Sequence, residues 1–127
     1  MKYSKNMLWA ETYVLAASRL VDVSKIEKIV GYALKPGQVP RQAAVCIKSS
    51  RSRHTIRVRL TSDHDTNKSI LVEDALVALA HELAHLVVWE HKPKHLELTA
   101  RILAKFARVA RAQGVKDTSG YLQVKLQ

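Results

Sequence analysis

Cysteine is nearly missing from this chain of 127 residues. Cys46 stands alone, so no internal disulfide can form, and its place in an apolar run marks a buried thiol rather than a nucleophile. Four glycines and three prolines are too few for a linker, and no repeat or low-complexity segment is present. No apolar run approaches the roughly 18 residues of a membrane span, and Met1-Lys2-Tyr3 leads into no signal-peptide pattern. Acidic residues are scarce as well, 11 against 21 Lys and Arg, for a net charge of +10. These absences exclude a disulfide scaffold and a membrane-spanning protein, and lead us to expect a cytoplasmic one. What is present is enough for a core: 47% hydrophobic residues argue against disorder, and the length suits one domain over residues 1–127.

Against that background the run His81-Glu82-Leu83-Ala84-His85 stands out. On a helix a four-residue step turns about 400°, so both imidazoles share one face a turn apart, with Glu82 beside them. Neutral imidazole nitrogen suits Zn²⁺, and a catalytic zinc site keeps three protein ligands and a fourth position for water. The ion brings that water's pKa to roughly 7, and a neighbouring carboxylate takes its proton during attack on a polarised carbonyl. Six His and six Glu in 127 residues give about 0.01 accidental matches to this pattern, so context decides. The stretch from Ser69 to Trp89 is largely apolar, free of Pro and Gly, and acidic at Glu73 and Asp74, which predicts a buried helix. Ser69 is the expected N-cap, with Asn67 and Thr66 as alternatives. Two histidines and a glutamate inside such a helix are costly unless satisfied, and one zinc ion per chain satisfies them.

The third ligand is less constrained. Were the helix to run straight on, His91 would point about 120° away from His85, and His95 would lie about 15 Å further along the axis. Pro93, however, disfavours helix at Lys92 and is suited to open a second helix, so a turn is expected between Glu90 and Pro93. Such a turn can fold His91 back over the site. Glu97 and His95, in the first turns of the next helix, are the competing ligands.

His81-Glu-Leu-Ala-His85-x5-His91, followed by Lys-Pro-Lys and a helix, resembles the SprT-like zinc metallopeptidases and their small WLM-type relatives. The resemblance covers roughly residues 40 to 110, because a strand hairpin also precedes the site helix. It implies His81, His85 and His91 as zinc ligands, Glu82 as general base, and a zincin-like fold in which one sheet edge pairs with extended substrate. It also implies protein substrates held on DNA. Two positions depart from the family pattern: Lys92 stands where glycine is frequent, and His95 where Phe or Trp is usual. Metzincins share the spacing to a third histidine but need a glycine in the gap, and Leu86 to Glu90 has none.

Elsewhere, Trp9, Tyr13, Ala16 and Leu20 recur at helical spacing and predict an amphipathic helix over about 4 to 20, with the aromatic pair in the core. Ser24-Lys25-Ile26-Glu27 reads as a capping box opening a shorter helix that ends near Lys35-Pro36-Gly37. Ala43 to Lys48 and His54 to Leu60 read as a hairpin about Ser49-Ser50-Arg51-Ser52. A long helix is expected from Pro93 to Gln113, with Gly114 as its stop. The tail from Val115 to Gln127 is either one more strand or loose. The fold class is therefore α+β, with helices on a small antiparallel sheet and the zinc-binding helix buried. His54 and His64 read as ordinary exposed or hydrogen-bonded histidines.

The basic residues are unevenly placed. Lys94, Arg101, Lys105, Arg108 and Arg111 fall within about 120° on the last helix, and Arg51, Arg53, Arg57 and Arg59 cluster on the hairpin beside Lys48. A solvated face is the ordinary explanation, and contact with DNA phosphates through both clusters is the functional one. The expected function is a zinc metallopeptidase. The alternative is a zinc-stabilised nucleic-acid-binding or interaction module without proteolysis, which Glu82 argues against because a structural site has no use for a base there.

Overall fold

The computed structural model describes residues 1–38, 44–48, 53–62, 65–115 and 118–126, with the backbone alone over 44–48. The hairpin turn with Arg51, His64 and the side chains of Cys46 and Lys48 lie outside this description. Four strands, β1 (Lys2–Tyr3), β2 (Ile26–Tyr32), β3 (Ala44–Lys48) and β4 (His54–Arg59), form one sheet in the order β1-β2-β4-β3. β1 and β4 both run parallel to β2, and only the β3–β4 hairpin is antiparallel. The expected antiparallel sheet is thus corrected to a mainly parallel one. The hairpin itself was readable because two alternating strands joined by a polar turn are a local signal. Parallel pairing joins segments some 25 residues apart and leaves no such signal.

The expected helix after Ser24 is likewise corrected, since that segment is β2. Asp22 accepts hydrogen bonds from the Ser24 amide and hydroxyl and closes one 3₁₀ turn, Val23–Lys25, after which the chain extends. The register of β2 against β4 slips between Ile26 and Lys28. The inserted Glu27 therefore breaks the two-residue alternation, and Ile26 and Ile29, three residues apart, both face the core. Three is a helical spacing, so a bulged strand imitates a helix in the sequence. Gly31 lies where β2 meets the N-terminal segment, and a Cβ there would collide with the side chains of Leu60 and Asn6.

The first helical segment is a 3₁₀ turn, Lys5–Ala10, leading into α1 (Glu11–Ala17). Its buried face is Met7, Ala10, Tyr13, Val14 and Ala17, turned away from the expected Trp9, Ala16 and Leu20 stripe, which is only partly covered. Tyr13 links Trp9 and Phe106 edge-on, with ring centroids 6.2 and 5.3 Å away, so the aromatics belong to the core. The site helix α2 (Val72–Ala84) packs on β3, β4 and α3 (Pro93–Ala112), and α3 packs also on α1. α3 matches its expected span, with Gln113 as C-cap and Gly114 at φ +76° beyond it. Among the described residues, no helix is long and apolar enough to cross a membrane.

Candidate metal centre

α2 is buried over most of its circumference, from Ala75 to Ala84, with Glu73, Asp74 and Val77 exposed. Its N-cap is Leu71, not Ser69, whose hydroxyl donates to the Leu122 carbonyl 2.5 Å away. The helix also ends earlier than its apolar run suggests. Hydrogen bonding tightens after Ala84, whose carbonyl accepts from both Val87 and Val88 amides, at 3.1 and 2.9 Å. A Val-Val-Trp stretch has weak helix preference, so little favours its continuing the helix. Val87 and Trp89, expected to be buried, are therefore more than half exposed. Lys92 is extended at φ −104°, ψ 167°, a conformation open to any residue, so the turn does not require the glycine frequent at that position in SprT-like and WLM-type proteins. Glu90 and Lys92 close the turn by a 2.7 Å ion pair.

This early turn decides the position of His91. Its Nε2 comes 3.1 Å from Nε2 of His81, which is 3.2 Å from Nε2 of His85. The three ligand-capable atoms lie within 4.8 Å of one another, a group that can hold a metal ion. His85 Nδ1–H donates to the Val88 carbonyl at 3.2 Å, which leaves the Nε2 lone pair facing inwards. The His81 pKa is pushed down to about 4, by burial first and then by His95, His85 and His91, and that of His85 is also lowered, chiefly by burial. Neutral imidazoles with converging lone pairs repel one another unless a proton or a cation lies between them. The donor set therefore fits a metal ion.

Glu82 is 5% exposed, and its Oε1 lies 3.8 Å from His81 Nε2. Burial raises its pKa to about 7. A cation on the imidazoles would draw that value down again. Of the competing ligands, Glu97 is exposed on α3 and outside the group, while His95 is buried with Nε2 3.0 Å from the His81 carbonyl. Sequence reasoning missed Trp89 as part of the site. The residue is 52% exposed, and its ring lies 5.8 Å from that of His85 and 5.7 Å from that of His54, forming an apolar wall beside the histidines. Only the early end of α2 reveals it. His54 is hydrogen-bonded, as expected, with Nδ1 3.3 Å from the Lys25 carbonyl.

The basic residues fall into different settings. On α3, Lys94, Arg101, Arg108 and Arg111 are exposed and Lys105 is half-buried. On the hairpin, Arg53 and Arg57 are exposed, and the Arg57 guanidinium stacks 4.8 Å over the Tyr32 ring. Arg59 is 4% exposed and donates from Nε to the Thr61 carbonyl at 3.1 Å, so it faces inwards and adds nothing to a basic surface.

No protein-family model matches the chain, and no curated protein matches it in sequence. Its fold is similar to the crystal structure of Wss1 from Saccharomyces cerevisiae: TM-score 0.54 at 15% identity, over 89% of this chain and 90% of that one. A Wss1 mutant structure gives 0.52 at 15% identity, over 90% and 92%. The likeness is one of fold. It agrees with a WLM-like fold and shows nothing beyond the fold.

Proposed function

We propose that this protein is a zinc-dependent metallopeptidase with His81, His85 and His91 as ligands and Glu82 as general base. The observation that carries it is the convergence of three imidazole Nε2 atoms beside a buried carboxylate 3.8 Å from one of them. Three protein ligands leave a coordination position for water, whereas a structural zinc is usually closed by a fourth. Bound zinc supplies Lewis acidity, acidifying a water and polarising the scissile carbonyl. Glu82 accepts the attacking water's proton at its carboxylate and returns it to the departing amine. Trp89 offers an apolar wall for a substrate side chain. β3, at the edge of the sheet, offers main-chain hydrogen bonds to an extended segment without reading its side chains.

The resemblance to SprT-like and WLM-type peptidases, together with the cations of α3, extends the proposal to proteins held on DNA, with the exposed Lys94, Arg101, Arg108 and Arg111 and the half-buried Lys105 meeting phosphates. The deciding experiment is Glu82→Gln, which removes the base and keeps every ligand. Zinc content and fold should persist while peptide hydrolysis falls at least about 10²-fold. Undiminished cleavage by this variant rules the mechanism out.

A further inference from the structure

We infer that His95 is a positioning residue, which clamps the end of α2 to the start of α3 and fixes the orientation of the His81 and His85 imidazoles. The inference rests on the metallopeptidase reading for what those imidazoles hold. At the end of α2 the chain tightens: the His85 amide donates to the Glu82 carbonyl at 3.2 Å and the Leu86 amide to Leu83 at 3.1 Å. The His81 carbonyl thereby loses the partner a continuing helix would give it. His95 supplies one. Its Nε2 lies 3.0 Å from that oxygen, and with only 3% of the residue exposed the bond is shielded from water. A carbonyl only accepts, so Nε2 carries the proton. This nitrogen is thereby engaged and cannot serve as a metal ligand or a donor to substrate.

The same ring also stacks on His85, with centroids 4.1 Å apart and planes 29° from parallel. One side chain thus holds the backbone of one ligand residue and the imidazole of another. His95 is itself held: its amide donates to the Lys92 carbonyl at 2.9 Å, and its own carbonyl accepts from the Thr99 hydroxyl at 2.8 Å. The turn that carries His91 is consequently tied across its base, from residue 81 to residue 95. A Phe or Trp at this position, usual in SprT-like and WLM-type peptidases, could supply the stacking but not the hydrogen bond to the His81 carbonyl.

Two substitutions separate these contributions. His95→Phe keeps a ring against His85 and removes the donor; His95→Gln keeps a donor at a similar reach and removes the ring. We expect zinc affinity, measured by chelator competition, to weaken about 10-fold or more in His95→Phe, within the range of lost outer-shell partners, and to recover largely in His95→Gln. The visible absorption of the cobalt-substituted protein should shift in His95→Phe and return towards wild type in His95→Gln. Equal zinc affinity and unchanged cobalt spectra in both variants, with only melting temperature reduced, would make His95 a packing residue and overturn the inference. A measurement on the wild type guards against variants that fail to fold: ¹⁵N NMR should find His95 as the Nε2–H tautomer in slow exchange, and the Nδ1–H tautomer overturns it. The two proposals fail separately. Zinc affinity that follows the donor while Glu82→Gln still cleaves removes the peptidase mechanism and keeps the clamp; a wild type that binds no zinc removes both.

Discussion

α2 and α3 lie against each other and carry their information in opposite ways. α2 is apolar on most sides, and its functional residues are exceptions to its pattern: Glu82 sits where the helix otherwise buries alanine and leucine, beside the half-buried His81. α3 has one buried line, His95, Thr99, Ile102, Phe106 and Ala110, and its other sides carry the cations Lys94, Arg101, Lys105, Arg108 and Arg111. A polar group in an apolar environment needs one partner at one distance, because low dielectric makes an unmet group expensive. A solvated cation needs only a partner of opposite sign, and salt weakens that attraction. The site on α2 should therefore respond all-or-none, and the stripe on α3 by degrees.

The sharpest break is at the ligands. His81→Ala or His85→Ala should take zinc from about one per chain to near zero by mass spectrometry, since each removes a donor held by the helix, whereas His91→Ala, on the turn, should weaken binding without abolishing it. Should His91→Ala bind zinc normally and Glu97→Ala fail to, the ligand set would have to be redrawn.

A smaller, graded effect is expected on α3. Reversing Lys94, Arg101 and Arg108 to Glu should weaken binding to DNA of any sequence and flatten the salt dependence by about 0.7 to 0.9 for each phosphate no longer neutralised, with zinc content unchanged. If the wild type is not retained on DNA even at roughly 50 mM salt, the stripe is solvated surface only.

The smallest expected effect is on pH-dependent stability in the metal-free protein. Glu82 titrates at about 7 in the fold against an ordinary 4.5, so stability present below pH 4.5 is lost as pH rises towards 7. His81, lowered to about 4 from 6.5, loses stability in the other direction, as pH falls from 6.5 to 4. Between pH 5 and 8, Glu82→Gln should gain a few °C in melting temperature relative to the wild type. Parallel melting curves across that range would show that Glu82 is not desolvated.

The two helices also differ in how much of them was legible. α3 announced itself through Pro93, a regular apolar line and Gly114, all local signals, and its bounds match within a residue. On α2 the motif was plain, but the end of the helix was not. Pro93 announces the turn that brings His91 to His81, but apolar continuity from Leu83 to Trp89 looks like more helix and hides that the turn begins already at Ala84, through hydrogen bonding no spacing encodes. β2 was misread for a related reason: its bulge at Glu27 gives a helical rhythm, and its pairing partners β1 and β4 lie far away in sequence. Burial of Arg59 was hidden too. Alternation with Val58 and Leu60 suggested an outward side chain, while the strand's last residue turns in to the Thr61 carbonyl.

The beginning of α2 has a consequence for how the protein is made. Among the described residues no side chain caps this helix; instead the Val72 and Glu73 amides donate to the carbonyls of Gly120 and Thr118, both at 2.9 Å, and Tyr121 bridges Leu71. During synthesis these acceptors leave the ribosome more than forty residues after the amides they serve. Until then the histidine-bearing helix starts with two amides that lack the acceptors they have in the folded protein. A nascent chain stalled before residue 118 should expose α2 to protease, and one released past residue 122 should not.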